Sequence, residues 1–397
     1  MGADDGIGND PQRWDNPFAG LPMFAEMAKA LSGQGPLNWD AARQFAALAA
    51  PPGPNVDPTL RLAFEALVVI AQMQVCDVTG FDGAFPAMSA LTPNAWALRA
   101  LDAYRPLFTE LATSLGRRPG LAAESPGDDD PAEPMMAMLG QLGQMMAPSM
   151  LGMAVGGMIG RLAVRAFGQY DLPIPRDEAH LIVVPETIDR FAADWDLPVD
   201  EMRLWVLTQE MTGIVLFSAG SIGNDLAALV RQFAGAFQPD PSAVADKLAS
   251  LTDGTDDDPM QAMQRAFSDP ALMLGAIQSP LQAELAPRLD AAVAAVVGYV
   301  DYMVDSAAAR MIGGDALRIA EAVRRRRIET SVDDVYIERL LGMRLDQAQV
   351  QRGKTFVGGA VDRVGEQRVT DLFAMANALP TPAEIDAPGL WIARLSL

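Results

Sequence analysis

The chain has 397 residues, half of them apolar, and a formal net charge of −21 at pH 7. That length and apolar content allow a substantial core, in one large domain or two smaller ones. The acidic balance argues against nucleic acid or an anionic membrane surface as a partner, because both are bound by basic surfaces.

The N-terminal third alternates between polar segments and helical patterns. Residues 1–14 are polar and acidic, which predicts a disordered tail. Apolar residues then recur near the 3.6-residue period within residues 15–117, which predicts a helical N-terminal part. A cluster of Pro, Gly and Asp over residues 118–134 predicts a solvated linker. The helices predicted in the N-terminal part cover residues 24–31, 40–49, 58–75 and 93–115.

Residues 134–160 contain no charged side chain and are long enough to span a membrane. Gln141, Gln144 and Pro148 interrupt the apolar run, however. Glycines at every fourth position from Gly152 to Gly160 form a ridge that lets another helix approach closely, in membranes and in protein cores alike. We therefore favour a buried, methionine-rich helix over a membrane span.

The remainder is predicted to be helical apart from one strand. Residues 181–184 are short, β-branched and followed by Pro185, which favours a strand. The whole pattern predicts a mainly α protein with a minor β component, in which residues 15–117 and 135–397 pack as one large multi-helix domain. The later helices are predicted over residues 186–195, 202–217, 222–237, 241–250, 259–267, 281–311, 315–323, 333–341, 346–365 and 369–379.

The helix over residues 202–217 is apolar around its whole circumference, so it is predicted to be buried. Glu210 lies in its middle. A buried carboxylate is costly unless it is paired or hydrogen-bonded, and otherwise it keeps its proton. Gly213 costs a helix about 1 kcal/mol relative to alanine, which indicates a neighbour that needs the space.

This helix resembles a zinc-peptidase helix. Trp205, Val206, Glu210, Thr212 and Phe217 match the pattern Trp-Val-Ala-Leu-His-Glu-Val-Thr-His-x-x-x-Phe. That pattern belongs to an actinobacterial zincin-like family named as hydrolases and sometimes linked by name to deazaflavin-cofactor biosynthesis. Two histidines four residues apart on one helix face bind zinc in such motifs, and the glutamate between them is the general base.

A second motif of the family, Glu-Gly-His-Ala-Asp-Tyr-Val-Met-Asp, resembles residues 297–305. Further similar segments extend the resemblance from about Asn16 to the C-terminus. The resemblance implies a zincin-like fold in which Glu210 is a vestigial general base. The degenerate ligand positions it implies are Gln209, Gly213, Val297 and Tyr299, and the side chains it implies around the site are Trp205, Thr212, Asp301 and Asp305.

Three structural predictions follow from these two motifs. Their helices pack directly against each other, and Glu210 is buried, hydrogen-bonded and raised in pKa. Tyr299 fills the volume of the missing zinc and of the side chain absent at Gly213, with its hydroxyl on Gln209 or Glu210.

The leading functional hypothesis is a zincin-like homologue without a metal or other cofactor that binds a protein partner or a ligand. One alternative is a zinc-dependent metallopeptidase with a divergent site built from Glu210 with Asp301 or Asp305, and another is a structural subunit of a complex. The lone His180 favours a structural role, since zinc sites need about three protein ligands.

Two further features bear on partners and location. The run from Arg324 to Arg327 is interpreted as complementing a helix C-terminus and internal carboxylates rather than as a nucleic-acid patch. Cys76 is the single cysteine, so an intramolecular disulfide is excluded. With acids in place of an export signal at the N-terminus, these features predict a cytoplasmic protein.

Overall fold

The computed structural model describes residues 35–116, 133–176, 180–239, 276–277, 279–328, 341–343 and 346–396. The side chains of residues 133–145, 238–239, 276–277 and 328 are excepted. These residues form thirteen α-helices and two small two-stranded sheets. The predicted tail, most of the predicted linker and the predicted helices over residues 24–31, 241–250 and 259–267 lie outside the described residues. So does the predicted helix over residues 333–341, except for its last residue.

The N-terminal helices begin at conventional capping residues. Asn38, Asp57 and Thr92 each accept a hydrogen bond from a backbone N–H in the first turn that follows, which satisfies a donor the helix cannot. The elements are α1 (Trp39–Ala49), α2 (Pro58–Thr79), β1 (Met88–Ala90), α3 (Pro93–Ala103), α4 (Arg105–Gly116) and α5 (Glu133–Ala163).

A short 3₁₀ turn, Gln169–Asp171, precedes the second strand. The elements that follow are β2 (Leu181–Val183), α6 (Pro185–Asp194), α7 (Val199–Ser218), α8 (Ile222–Gly235), β3 (Gln238–Pro239), β4 (Ala276–Ile277), α9 (Pro280–Met311), a 3₁₀ turn (Gly313–Asp315), α10 (Ala316–Ile328), α11 (Gln347–Val364), α12 (Glu366–Phe373) and α13 (Pro388–Leu395). β1 and β2 pair in parallel, and β3 and β4 pair antiparallel.

The predicted glycine ridge on α5 lies against α1. A side chain at Gly152, Gly156 or Gly160 would meet the α1 backbone or the Asn38 carbonyl that precedes it. The Asn38 amide N–H also donates to the Pro148 carbonyl over 2.9 Å. The glycines therefore serve close contact between two helices.

Two long helices pass along the centre of the fold. α7 packs on α2 and α9, and α9 packs on α11. Two hydrophobic clusters surround them, one on the side of α1, α3, α4, α5 and α8 and the other on the side of α2, α6 and α10. The functional motifs of the sequence therefore lie on the two most enclosed helices.

Two departures of helix boundaries from the sequence prediction have a visible cause in the chain. The predicted helix over residues 93–115 is two helices broken at Tyr104, because Pro106 disfavours helical continuation through the residues before it. The predicted helix over residues 369–379 instead runs from Glu366 to Phe373. Gly365 has φ = 86° immediately before it, and Asn377 has φ = 56° after it.

Within the described residues, two helices, α2 and α9, are long and apolar enough by composition to cross a membrane. In α9 78% of the apolar window is buried inside the fold, whereas in α2 only 28% is buried. By the same criterion α7 and α8 qualify only together, and they are bent by 88° at their junction. Length and composition are the only grounds on which these helices qualify as membrane spans.

Candidate active site

Helix α7 is buried from Leu204 to Leu216, as its sequence predicts. Two of its polar side chains are satisfied within the helix, because the Thr208 and Thr212 hydroxyls donate to the carbonyl one turn before them over 2.8 Å. Glu210 instead accepts its hydrogen bonds from outside the helix. Gln209 Oε1 has no hydrogen-bond partner among the described residues.

Glu210 is fully buried and accepts hydrogen bonds from two backbone amides of the turn Gln169–Asp171. The Gln169 N–H lies 2.6 Å from Oε2, and the Tyr170 N–H lies 3.2 Å from Oε1. Burial raises the pKa of Glu210 to about 8, with a further contribution from the nearby Asp171 carboxylate, against the lowering effect of the two amides. The predicted burial, hydrogen bonding and raised pKa are confirmed.

The turn that holds Glu210 is itself anchored on three sides. The Gly168 carbonyl accepts a hydrogen bond from Trp96 Nε1 over 2.7 Å, and Gly168 bridges to Val183 at the end of β2. Asp171 accepts from the Phe167 and Gly168 amides and pairs with Arg326 at 2.8 Å. The turn is therefore held rigidly against α7.

The close approach of the turn to the Glu210 carboxyl group requires glycine at position 168. A Cβ atom at Gly168 would lie 2.5 Å from Oε1 of Glu210, well inside the distance at which two such atoms can meet. Any larger residue would push the turn away from the carboxyl group.

The Tyr170 ring occupies the space that a side chain at position 213 would need. A Cβ atom at Gly213 would lie 2.5 Å from the Tyr170 ring, which also packs on Phe217 with ring centroids 5.2 Å apart. The prediction that Tyr299 fills this space is wrong. Tyr299 is fully buried, but its hydroxyl is 2.8 Å from Thr370 Oγ1 and its ring packs on Phe373.

Helix geometry accounts for this error. Residues two apart on an α-helix point about 200° from each other, so Val297 and Tyr299 cannot face the same site. Val297 faces α7, and Tyr299 faces α12. The direct packing of α7 on α9 is nevertheless confirmed.

A small cleft lies between α7, α9 and the turn. Of the four degenerate ligand positions, it contains Gln209 and Val297. Its apolar lining consists of Pro173, Phe217, Val296, Val297 and Val300. Its polar lining consists of Tyr170, Asp171, Gln209, Asp301 and Arg327.

Among the side chains predicted to surround the site, Asp301 lines the cleft and the others do not. Trp205 and Thr212 are buried elsewhere on α7, and Asp305 lies one turn beyond Asp301 on α9. His180 directly precedes β2.

Asp301 and Asp305 of α9 are both bound by basic side chains. Asp301, 1% exposed, accepts from Arg327 Nη1 at 3.0 Å through both oxygens, and Arg324 lies 3.7 Å away. Asp305 pairs with Arg324 and with Lys354, the latter at 2.7 Å. The arginine run thus lies in the last turn of α10 and binds internal carboxylates, as interpreted from the sequence.

These residues do not fit a zinc ion. Gln209 is a poor ligand, Val297 offers no donor atom, and the Tyr170 ring covers the position of a side chain at 213. Both oxygens of Glu210 bind backbone amides instead. In the part of the chain that the structure describes, no three His, Cys, Asp or Glu side chains are grouped so that they would hold a metal.

The sequence profile of the family described as zincin-like metallopeptidase matches residues 37–392. The chain belongs to this family. It is also similar to the crystal structure of "a putative hydrolase with a novel fold" from Chloroflexus aurantiacus, with a TM-score of 0.54 and 21% identity. The match covers 91% of this chain and 99% of the other, and at that identity it shows a shared fold. No curated protein matches.

Proposed function

We propose that this family member is a metal-free zincin-like homologue, a pseudo-metallopeptidase whose altered site binds a ligand or protein partner. One observation carries the proposal. The turn Gln169–Asp171 places two amides on Glu210 and the Tyr170 ring on Gly213, so protein atoms take up the space around the motif glutamate. A general base needs contact with the water or substrate it deprotonates, and here those contacts are made by backbone.

Metal analysis of the purified protein tests this proposal. The protein is produced in zinc-supplemented medium, and its zinc content is measured before and after treatment with a chelator. We expect less than stoichiometric zinc and no zinc-dependent cleavage of a fluorogenic peptide mixture. Stoichiometric zinc that a chelator removes, together with loss of peptide cleavage, would contradict the proposal.

A transplant of ligands tests the physical reason. The double variant Gln209→His, Gly213→His restores both histidines of the motif, yet we expect no tight zinc binding by calorimetry. The new side chain at 213 would collide with the Tyr170 ring, whose nearest atom is 2.5 Å from the Cβ position. Adding Tyr170→Gly and Val297→Glu removes the ring and supplies a third ligand, so zinc affinity should rise. Tight binding by the double variant alone would show that the space is open.

The alternative of a divergent metal site at Glu210 with Asp301 or Asp305 has less support. Asp301 is bound by Arg327 on both oxygens, and Asp305 is bound by Arg324 and Lys354. A cation there would have to displace these basic groups. A third candidate, a structural subunit of a complex, is tested by the size of the native protein in cell extract.

The proposal places the protein in the cytoplasm and excludes nucleic acid as a partner. Its support is the net charge of −21 and the single cysteine. The arginine run, which alone among the sequence features suggested a phosphate-binding surface, is paired to Asp171, Asp301 and Asp305 through three of its side chains.

A further inference from the structure

Gln209 is a buried amide whose oxygen has no hydrogen-bond partner. The side chain is 6% exposed, and within the described residues Oε1 is buried without a donor. Buried polar side chains nearly always make hydrogen bonds, so an orphan acceptor that lines a cleft indicates a missing donor. The neighbouring Glu210 has its partners. Trp205 Nε1 and the Gln169 side-chain amide are also buried without a partner among the described residues, but neither residue lines the cleft, whereas Gln209 does.

The remainder of the cleft favours a neutral aliphatic group. Phe217, Val297 and Val300 contribute apolar walls. The charged side chains that line it are all paired: Asp301 lies 3.0 Å from Arg327, and Asp171 lies 2.8 Å from Arg326. An ion that entered would lose water without gaining an unpaired opposite charge, and such desolvation is costly.

We propose that the cleft binds a small neutral carboxamide, either as a free molecule or as the end of a larger one. The ligand N–H donates to Oε1 of Gln209, and the ligand carbonyl accepts from the Gln209 amide nitrogen. Because an amide carries a donor and an acceptor side by side, the pairing forms in either orientation of the Gln209 side chain. The aliphatic part of the ligand lies on the valines of α9.

The size of the cleft limits that aliphatic part. The enclosed part of the cleft has room for about two or three water-sized groups, which suits a small branched group such as isopropyl. Val297 stands where the family motif has a glutamate, so the same replacement that removes a metal ligand supplies an apolar wall. The inference rests on the proposed function, because a metal-loaded site would use position 209 as a ligand.

Three probes of one shape separate the contributions. Isobutyramide carries the N–H donor, 3-methylbutan-2-one replaces its amino group by methyl, and isobutyrate replaces it by a charged oxygen. Each is titrated into protein with labelled valine methyl groups, observed by NMR. We expect isobutyramide to shift the methyl signals of Val296, Val297 and Val300 with a millimolar Kd. The ketone and the anion should bind about tenfold more weakly, since a site built for a hydrogen bond rejects an analogue that lacks it.

Two variants and a matched control complete the test. Gln209→Met keeps the volume and removes the amide, and it should abolish the preference for isobutyramide over the ketone. Val297→Phe fills the cleft and should abolish binding of all three probes. Gln72→Met, the same substitution on the half-buried surface of α2, should change neither. Folding of each variant is checked by circular dichroism.

The outcomes are decisive in both directions. No valine shift with isobutyramide, equal binding of amide and ketone, or an unchanged preference in Gln209→Met would each overturn the inference. If Gln209→Met does not fold, the comparison of probes on the wild type and Val297→Phe decides. Zinc is measured on the same sample, so stoichiometric zinc defeats the proposed function, whereas a zinc-free protein that ignores the amide defeats only this inference.

Discussion

Replacement of Glu210 by glutamine should make the protein more stable at neutral pH. In the folded chain burial raises the pKa of Glu210 to about 8, whereas the ordinary value is 4.5. Between these two values the unfolded chain has released the proton and the folded chain still holds it. Raising the pH therefore favours the unfolded state, and the wild type loses stability from about pH 4.5 until pH 8.

The difference between the folded and unfolded pKa of Glu210 sets how much stability the wild type loses. Each pH unit between the two pKa values corresponds to about 1.4 kcal/mol, which gives about 3 kcal/mol at pH 7 and about 5 kcal/mol at pH 8 and above. A glutamine at 210 still offers an oxygen to the Gln169 amide but carries no charge at any pH. We therefore expect Glu210→Gln to match the wild type within about 1 kcal/mol near pH 5 and to exceed it progressively above that.

Urea unfolding at several pH values from 5 to 8.5 measures this difference. Glu384→Gln is the matched control, because a hydrogen bond from Arg394 lowers the pKa of Glu384. Its folded and unfolded forms are both ionised above pH 5.5, so the loss of stability in this variant should not vary with pH in that range. A constant difference between wild type and Glu210→Gln, or a wild type that gains stability with pH relative to the variant, would refute the assigned burial of a protonated carboxyl group.

Three further substitutions test the packing around the site. Gly168→Ala should lower the free energy of unfolding, measured in urea, by about 1 to 3 kcal/mol, because its Cβ would collide with the Glu210 carboxyl group. Gly235→Ala is the control and should lower it by nothing, because the space around Gly235 is open. Equal effects of the two variants would contradict the close approach of Gly168 to Glu210. Tyr299→Ala should cost about 3 to 5 kcal/mol as a fully buried aromatic, and a loss below 1 kcal/mol would show that the ring is not a core element. Arg327→Met should cost about 3 to 5 kcal/mol because it leaves Asp301 buried with Arg324 no nearer than 3.7 Å, and thermal unfolding that is unchanged would contradict the pairing.

The sequence predicted the elements whose pattern is local. Helix α7 is apolar all round, so its burial follows from periodicity alone, and the cost of Gly213 correctly indicated a neighbour. The break at Tyr104 was also visible in principle, because Pro106 has no N–H to donate to the carbonyl one turn before it. Local rules were sufficient wherever the cause of a feature lay within one or two turns.

The identity of the neighbour of Gly213 was not accessible in the same way. Tyr170 is 43 residues before Gly213, and no spacing rule connects a turn with a helix position that far along the chain. The partners of Glu210 are backbone amides, which every residue except proline carries and which therefore leave no trace in a sequence. Assigning the space to Tyr299 relied on motif correspondence and overlooked the opposite directions of residues two apart on a helix.

A pKa close to the working pH usually marks a catalytic acid or base, and Glu210 needs a different interpretation. The largest cause of its raised pKa is burial and the second is the charge of Asp171, so both causes belong to the resting fold. Neither of them brings water or a substrate to the carboxyl group, whose oxygens bind the backbone of a turn anchored by Trp96 and Arg326. On the proposed function, the amides that bind the two oxygens take the place of a reacting molecule. A perturbed pKa is therefore evidence for catalysis only where a reacting molecule can reach the perturbed atom, and at this site the side chain that lines the cleft is Gln209.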